Sequence, residues 1–176
     1  MRRICFDTET TGLSWRRGDR LCEIGAVLLD DDFTVIDTFH TYVNPMHPVG
    51  AQAYAIHGLS DDFLALQPPF EAVARSFLDF VSGAELIAHN ATFDTGFVNA
   101  HLGACGLPGL KASGCEITCT FAMARRLFPS QRNSLDALCQ RFGIDASARV
   151  RHGALLDAQL LSRVYAALIN EQKSRR

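Results

Sequence analysis

Ile4-Cys5-Phe6-Asp7-Thr8-Glu9-Thr10-Thr11-Gly12 begins as a buried strand and then carries two carboxylates where such a strand has no room for them. Ile4, Cys5 and Phe6 form an apolar run after two arginines, the pattern of a central strand covered on both faces. On a period of two, Asp7 and Glu9 point to one side and Thr8 to the other, so two negative charges converge. Their repulsion in low dielectric raises one pKa or distorts the strand unless a proton or a cation sits between them. A divalent metal meets that need, and oxygen-only ligands favour a hard ion, Mg²⁺ or Mn²⁺ rather than Zn²⁺. The plainer alternative is a strand end dissolving into a polar turn, since Thr-Thr-Gly is good turn chemistry.

A chain of 176 residues is the size of one domain with a sizeable core. Its composition, 48% hydrophobic and 20% charged, excludes a disordered tail protein. The formal net charge of −2 neither advertises nor forbids a polyanionic partner. Distribution says more: arginines pair at Arg2/Arg3, Arg16/Arg17, Arg125/Arg126 and Arg175/Arg176, and arginine suits phosphate contacts, although paired arginines are also common on solvated surfaces. The expected location is cytoplasmic, because no apolar stretch approaches the roughly 20 residues of a membrane span and the N-terminus enters a strand without building a signal peptide. The six cysteines fit a reducing compartment, several lying inside apolar patterns. Cys115-x-x-x-Cys119 lacks the tight pairing of a zinc knuckle.

Beyond Gly12, residues 13–20 read as a polar loop and Leu21–Leu29 as a second strand interrupted by Glu23 and Gly25. Asp30-Asp31-Asp32 is a turn, and Phe33–Val43 alternates well enough to be a third strand, completing a meander. Short helices are expected at Ala51–His57 and after Ser60, then an amphipathic one over Phe70–Val81 with Val73, Phe77, Phe80 and Val81 inward. The second half alternates. Leu86-Ile87-Ala88 is a short buried strand followed by a helix over 92–102, and Glu116–Cys119 an edge strand after a glycine-rich loop. Helices over 120–127, 134–142 (Ser134 as N-cap) and 153–170 follow, leaving residues 171–176 as a polar tail and 1–170 as the domain. This order implies an α/β architecture, a mixed sheet with helices on both faces.

Two further acids sit where solvent should not reach. Asp94 is one turn into its helix, flanked by Phe97 and Val98 at i+3 and i+4, which turns it toward the sheet; a helix-dipole partner is the alternative. Asp157 shares a stripe with Leu161, Val164 and Leu168, so its carboxylate must be capped, protonated or metal-bound. His152, five residues earlier in the loop Arg149-Val150-Arg151-His152-Gly153, is an imidazole suited to taking a proton near neutrality if it stands beside these acids.

Phe6-Asp7-Thr8-Glu9-Thr10-Thr11-Gly12, His89-Asn90-Ala91-Thr92-Phe93-Asp94 and His152-Gly153-Ala154-Leu155-Leu156-Asp157 resemble, in order, the three motifs of the DEDDh 3′→5′ exonucleases. Within them the chain is similar to the DnaQ group, the proofreading epsilon subunits of bacterial DNA polymerase III. The likeness extends through Tyr54-Ala55-Ile56-His57-Gly58-Leu59, Arg132 to Cys139 and the closing Leu-Leu-Asp-Ala-Gln helix. It implies a ribonuclease-H-like fold, a five-stranded sheet whose second strand is antiparallel. It also implies that Asp7, Glu9, Asp94 and Asp157 bind two divalent ions, Mg²⁺ or Mn²⁺, with His152 as general base in two-metal hydrolysis releasing nucleoside 5′-monophosphates.

By the same resemblance, Thr10, Thr11 and Leu13 border the 3′-terminal nucleotide, Ile56 and His57 pack against its base or sugar, and His89 and Asn90 line the same pocket. Phe93 packs behind it, and Arg16, Arg17 and Arg132 are candidates for phosphate contacts. For His57 a loop histidine satisfied by backbone is the competing reading. The implied substrate is a single-stranded or frayed DNA 3′ end. The alternatives are a free-standing exoribonuclease, since 2′-hydroxyl contacts are not legible in sequence, and a non-catalytic nucleic-acid-binding or polymerase-tethering module. Two departures stand out. Cys119 replaces an acidic residue common before the helix at Thr120, so a cap is expected to be missing. The chain stops at Arg176, where the group usually continues into clamp- and polymerase-binding segments, so a trimmed domain or a free-standing enzyme is expected, with a DNA polymerase III alpha subunit as partner only if such a tail exists.

Overall fold

The apolar start of the chain becomes the middle of the sheet. The computed structural model describes residues 1–175. Its strands are β1 (Arg3–Thr10), β2 (Leu21–Leu29), β3 (Val35–Tyr42), β4 (Glu85–Ala88) and β5 (Glu116–Cys119), in the order β3-β2-β1-β4-β5. β2 runs antiparallel to β1 and β3, whereas β4 is parallel to β1 and β5 to β4. This is the expected ribonuclease-H-like sheet with its second strand antiparallel. The helices are α1 (Ala51–His57), α2 (Asp61–Ala65), α3 (Phe70–Val81), α4 (Ala91–Ala104), α5 (Thr120–Leu127), α6 (Leu135–Arg141) and α7 (Ala154–Ser174).

Alternation along β1 separates two cores. Ile4 and Phe6 pack with Phe77 of α3 and Phe97 of α4 on one face. Cys5 packs with Ala124, Leu138 and Leu161 of α5, α6 and α7 on the other. Complete burial of one such aromatic contributes about 1.5–3 kcal/mol, and loss of Phe6 would open both the core and the base of the site above it. Continuing that alternation, Asp7 and Glu9 belong to the α7 side and Thr8 to the α4 side. The side chains that Cys5 and Phe6 bury therefore set the directions of the polar residues after them.

Four expectations are corrected in detail. Phe33–Val43 reads as an alternating strand, but β3 is an edge whose residues Val35–Thr38 are exposed, and Phe39 alone reaches Phe77 and Phe80. The inner stripe of α3 is Phe70, Ala74, Phe77, Leu78 and Val81, with Val73 and Phe80 only half-buried at its margin. Trp15–Arg17 forms a turn of 3₁₀ helix inside the loop expected over 13–20. Finally α7 runs to Ser174, so residues 171–174 of the expected polar tail are its last turn; Arg176 lies outside the described residues. All six cysteines are free, as packing residues in a reduced protein would be. No helix among the described residues is long and apolar enough to cross a membrane.

Candidate active site

Three elements deliver the acids to the end of β1. Asp7 stands opposite Gly25 and Glu9 opposite Glu23, and the register shifts immediately after Glu9 as the strand leaves the sheet. On the other side of β1, Thr8 donates both its backbone N–H (3.1 Å) and its hydroxyl (2.7 Å) to Oδ1 of Asp94, which is buried one turn into α4. The turn from β4 into α4 is made at Asn90, a non-glycine residue with φ 67°, a conformation asparagine tolerates better than most. That sharp turn leaves His89 and Asn90 at the rim.

Asp157 arrives from the α7 side because of a glycine. A Cβ on Gly25 would collide with the backbone of Ala154 and Leu155, so only glycine lets the first turn of α7 lie against β2 beside Asp7. Asp157 is 3% exposed. Both of its oxygens are taken by Arg149, from Nε and Nη2, at 2.6 Å each. The same guanidinium donates through Nη1 to Asp136 (2.6 Å) and through Nη2 to Nδ1 of His152 (2.9 Å). His152 lies 3.5 Å from Asp157, and its backbone N–H is tied to the Ile56 carbonyl at the end of α1. Asp7, Glu9, Asp94, Asp157 and His152 line one cleft of about 310 Å³ with Thr8, His89, Asn90, Phe93, Asp136 and Arg149.

The charges in the cleft oppose one another. Burial, then the neighbouring Asp94, Glu9 and Asp157, holds the Asp7 carboxyl well above its usual range, with Arg149 pulling the other way. Burial, then Asp157, Glu23 and Asp94, pushes Glu9 up to about 8. Burial raises Asp94 to about 7 against the hydrogen bonds from Thr8. A carboxyl whose folded pKa lies above its unfolded one stabilises the fold fully below its unfolded value, near pH 4, and that contribution disappears as pH rises through about 7 and about 8. The metal-free protein should therefore lose melting temperature between about pH 5 and about pH 8, and Asp94→Asn should flatten that slope. A thermal-melt series in chelator that is flat for the unmutated chain would contradict this assignment.

A second hollow of about 560 Å³ adjoins the first and shares Thr8, Glu9 and Phe93 with it. Thr10, Thr11, Leu13, Ile56 and His57 line it, and Leu13 and Ile56 offer it exposed apolar surface. His89 and Asn90 do not belong to this hollow, contrary to expectation; they line the acidic cleft instead. Both ring nitrogens of His57 are occupied by backbone: Nε2 donates to the Thr10 carbonyl (3.0 Å) and Nδ1 accepts from Leu59 N–H (3.0 Å). Only the ring's carbon edge and face are left for a ligand. His89 is held by one ring nitrogen, donating from Nδ1 to the Thr120 hydroxyl (2.9 Å), with no hydrogen-bond partner at Nε2 among the described residues. Arg16 stacks over Trp15, and Arg132 lies at the mouth of a neighbouring groove with Asp136 and Arg141. Cys119 gives α5 no side-chain cap, as expected from its substitution for an acid.

Sequence reasoning missed three participants. Thr8 was directed away from the acids, and it does point to the other face, but that is where it meets Asp94. Arg149 and Asp136 carry no periodic signal. Phe93, expected as packing, lines both hollows, as Thr8 and Glu9 do.

The residues fit a hard divalent cation. The donors are carboxylate oxygens, burial holds three of the four carboxyls above their usual range, and a guanidinium has already settled against the fourth. Among the described residues, Glu9, His152 and Asp157 each offer a ligand atom within 4.8 Å of one another. Asp7 and Asp94 stand outside that tighter group but on the same cleft.

A carboxylate cluster at the end of the central strand of such a sheet defines a class of nucleases, and comparison with known proteins agrees. The chain belongs to the exonuclease family whose description is Exonuclease, matched over residues 4–165, and it is an enzyme of that kind. It is 44% identical over 178 residues to the DNA polymerase III subunit epsilon of Salmonella typhimurium, a match covering 98% of this chain and 73% of that one. Among solved structures, Exonuclease X in complex with 5′ overhanging duplex DNA shares 27% identity at a TM-score of 0.71, covering 95% of this chain and 90% of that one. E. coli Exonuclease I in complex with a dT13 oligonucleotide matches in fold, with a TM-score of 0.84 at 17% identity over 98% of this chain and 42% of that one. The chain is thus an exonuclease domain closely similar to DNA polymerase III subunit epsilon.

Proposed function

We propose that this exonuclease removes nucleoside 5′-monophosphates from single-stranded or frayed DNA 3′ ends, and that it does so in proofreading. The observation that carries this reading is the meeting of Asp7, Glu9, Asp94 and Asp157 from β1, α4 and α7 beside His152 in one cleft. In this reading the four carboxylates hold two divalent ions, Mg²⁺ or Mn²⁺. Bound there, such ions supply an activated water and offset charge on the phosphate and on the departing 3′ oxygen. His152 takes the proton of the attacking water; burial, the largest influence, lowers its pKa, which keeps the ring neutral and able to accept near pH 7. Thr8 fixes Asp94 through two hydrogen bonds, so that ligand needs no reorganisation.

The hollow beside the cleft is the proposed seat of the terminal nucleotide. Leu13 and Ile56 provide apolar surface for a base, Thr10 and Thr11 border its sugar, and Phe93 lies beside Glu9 where the hollow meets the acidic cleft. His89 and Asn90, lying on the acidic side, are better placed for the scissile phosphate than for the base. By homology to subunit epsilon, a DNA polymerase III alpha subunit is the proposed partner in the cell.

The test uses matched DNA and RNA oligonucleotides labelled at the 5′ end, with Mn²⁺. The expected result is a DNA ladder shortening one nucleotide at a time from the 3′ end, slowed about 10²- to 10⁴-fold by His152→Ala. Shortening of RNA alone would favour the exoribonuclease reading, and no release of mononucleotide from either would favour a non-catalytic binding module.

A further inference from the structure

The guanidinium of Arg149 occupies the two groups that the reaction needs free. It covers both oxygens of Asp157 and spends one Nη2 hydrogen on Nδ1 of His152. With Nδ1 accepting, a neutral ring carries its proton on Nε2, so neither nitrogen can take a proton from water. We propose that Arg149 is a positioning residue that latches Asp157 and His152 in the metal-free enzyme and surrenders both when divalent cations are held, with Asp136 retaining the released side chain. The inference rests on the reading of the acidic cleft as a metal site.

Three observations support it. Without metal, Arg149 is the cation seated on the cluster, its guanidinium 2.6 Å from each oxygen of Asp157. A single positive charge is a partial substitute for divalent ions and is repelled by them once they are present. Asp136 is on α6 with its carboxylate 67% exposed, so it can follow the guanidinium away from the cleft, whereas Asp157, 3% exposed in the stripe of α7, cannot. The backbone permits this too: residues 142–153 lie between α6 and α7 in no helix or strand, and Val150 beside Arg149 is 89% exposed.

The experiment titrates the full chain with Mn²⁺ by calorimetry, and melts it with and without saturating Mn²⁺, for the unmutated protein, Arg149→Gln and Arg149→Lys. Lysine keeps the charge but not the fork that grips both oxygens. If about nine in ten metal-free molecules are latched, both variants should bind Mn²⁺ roughly tenfold more tightly. Their melting temperatures should fall without metal and return toward the unmutated value with it. Unchanged affinity, with equal losses of melting temperature in both conditions, would overturn the latch and leave Arg149 a structural residue. Tighter binding in Arg149→Gln alone would also overturn it, leaving only the removal of a nearby charge. Should Arg149→Gln not fold, Arg149→Lys decides alone. Failure of the metal reading looks different: the unmutated chain would take up no Mn²⁺, or Asp157→Asn would bind it as well.

Discussion

Asp7→Ala and Asp157→Ala should each slow mononucleotide release by on the order of 10³-fold or more, yet move the stability of the metal-free protein in opposite directions. Asp7 is repelled by its surroundings: burial and three neighbouring carboxylates hold its proton on, so removing it relieves strain. Asp157 is different because it is paired. Deleting it leaves Arg149, 7% exposed, with the exposed Asp136 as its one remaining carboxylate partner among the described residues, beside the His152 ring. Breaking a buried pair from one side costs about 3–5 kcal/mol, about 10 °C for a domain of this size. In chelator at neutral pH the expected melting temperature therefore rises for Asp7→Ala and falls for Asp157→Ala. A fall of similar size in both would mean that Asp7 is held by contacts the geometry does not contain.

Gly25→Ala should be nearly as damaging, although Gly25 touches no substrate. The added methyl meets the backbone of Ala154 and Leu155, which no side-chain rotation can relieve, so the start of α7 must move away from β2. Overpacking of this kind costs about 1–3 kcal/mol, and a displacement of about 1 Å in a catalytic carboxylate can cost about 10²-fold in rate. Asp157 lies one turn into that helix, so it moves with it. The measurement is single-turnover cleavage beside a thermal melt. A variant that loses stability but keeps its rate would show that Asp157 is positioned independently of the contact between α7 and β2.

How far the sequence leads depends on whether a signal is periodic. Cys5 and Phe6 announce a central strand because burial on both faces leaves a continuous apolar run, and the acids that follow stand out against it. Asp157 was legible for the same reason, a charge interrupting the stripe of Leu161, Val164 and Leu168, all buried in the structure. Asp94 was legible from Phe97 and Val98 beside it. The third strand was legible from its alternation but its exposure was not, because alternation describes a strand equally well whether or not anything covers it, and here five of its eight residues are exposed. Contacts between distant segments left no trace. Thr8 on Asp94, Gly25 beneath α7 and Arg149 across Asp157 are made by residues whose local patterns suit a strand, a strand irregularity and a surface loop. His57 illustrates the converse, since its motif points to substrate while its ring nitrogens are spent on Thr10 and Leu59.

The most direct test of the account is diffraction at the manganese edge from crystals soaked in Mn²⁺ and a nucleoside 5′-monophosphate. Manganese is expected at roughly 2.0–2.4 Å from oxygens of Asp7, Glu9, Asp94 and Asp157, with the base in the hollow bordered by Leu13 and Ile56 and Arg149 turned from Asp157 toward Asp136. Manganese bound elsewhere, with Arg149 still astride Asp157 in an enzyme that cleaves in the same solution, would contradict it.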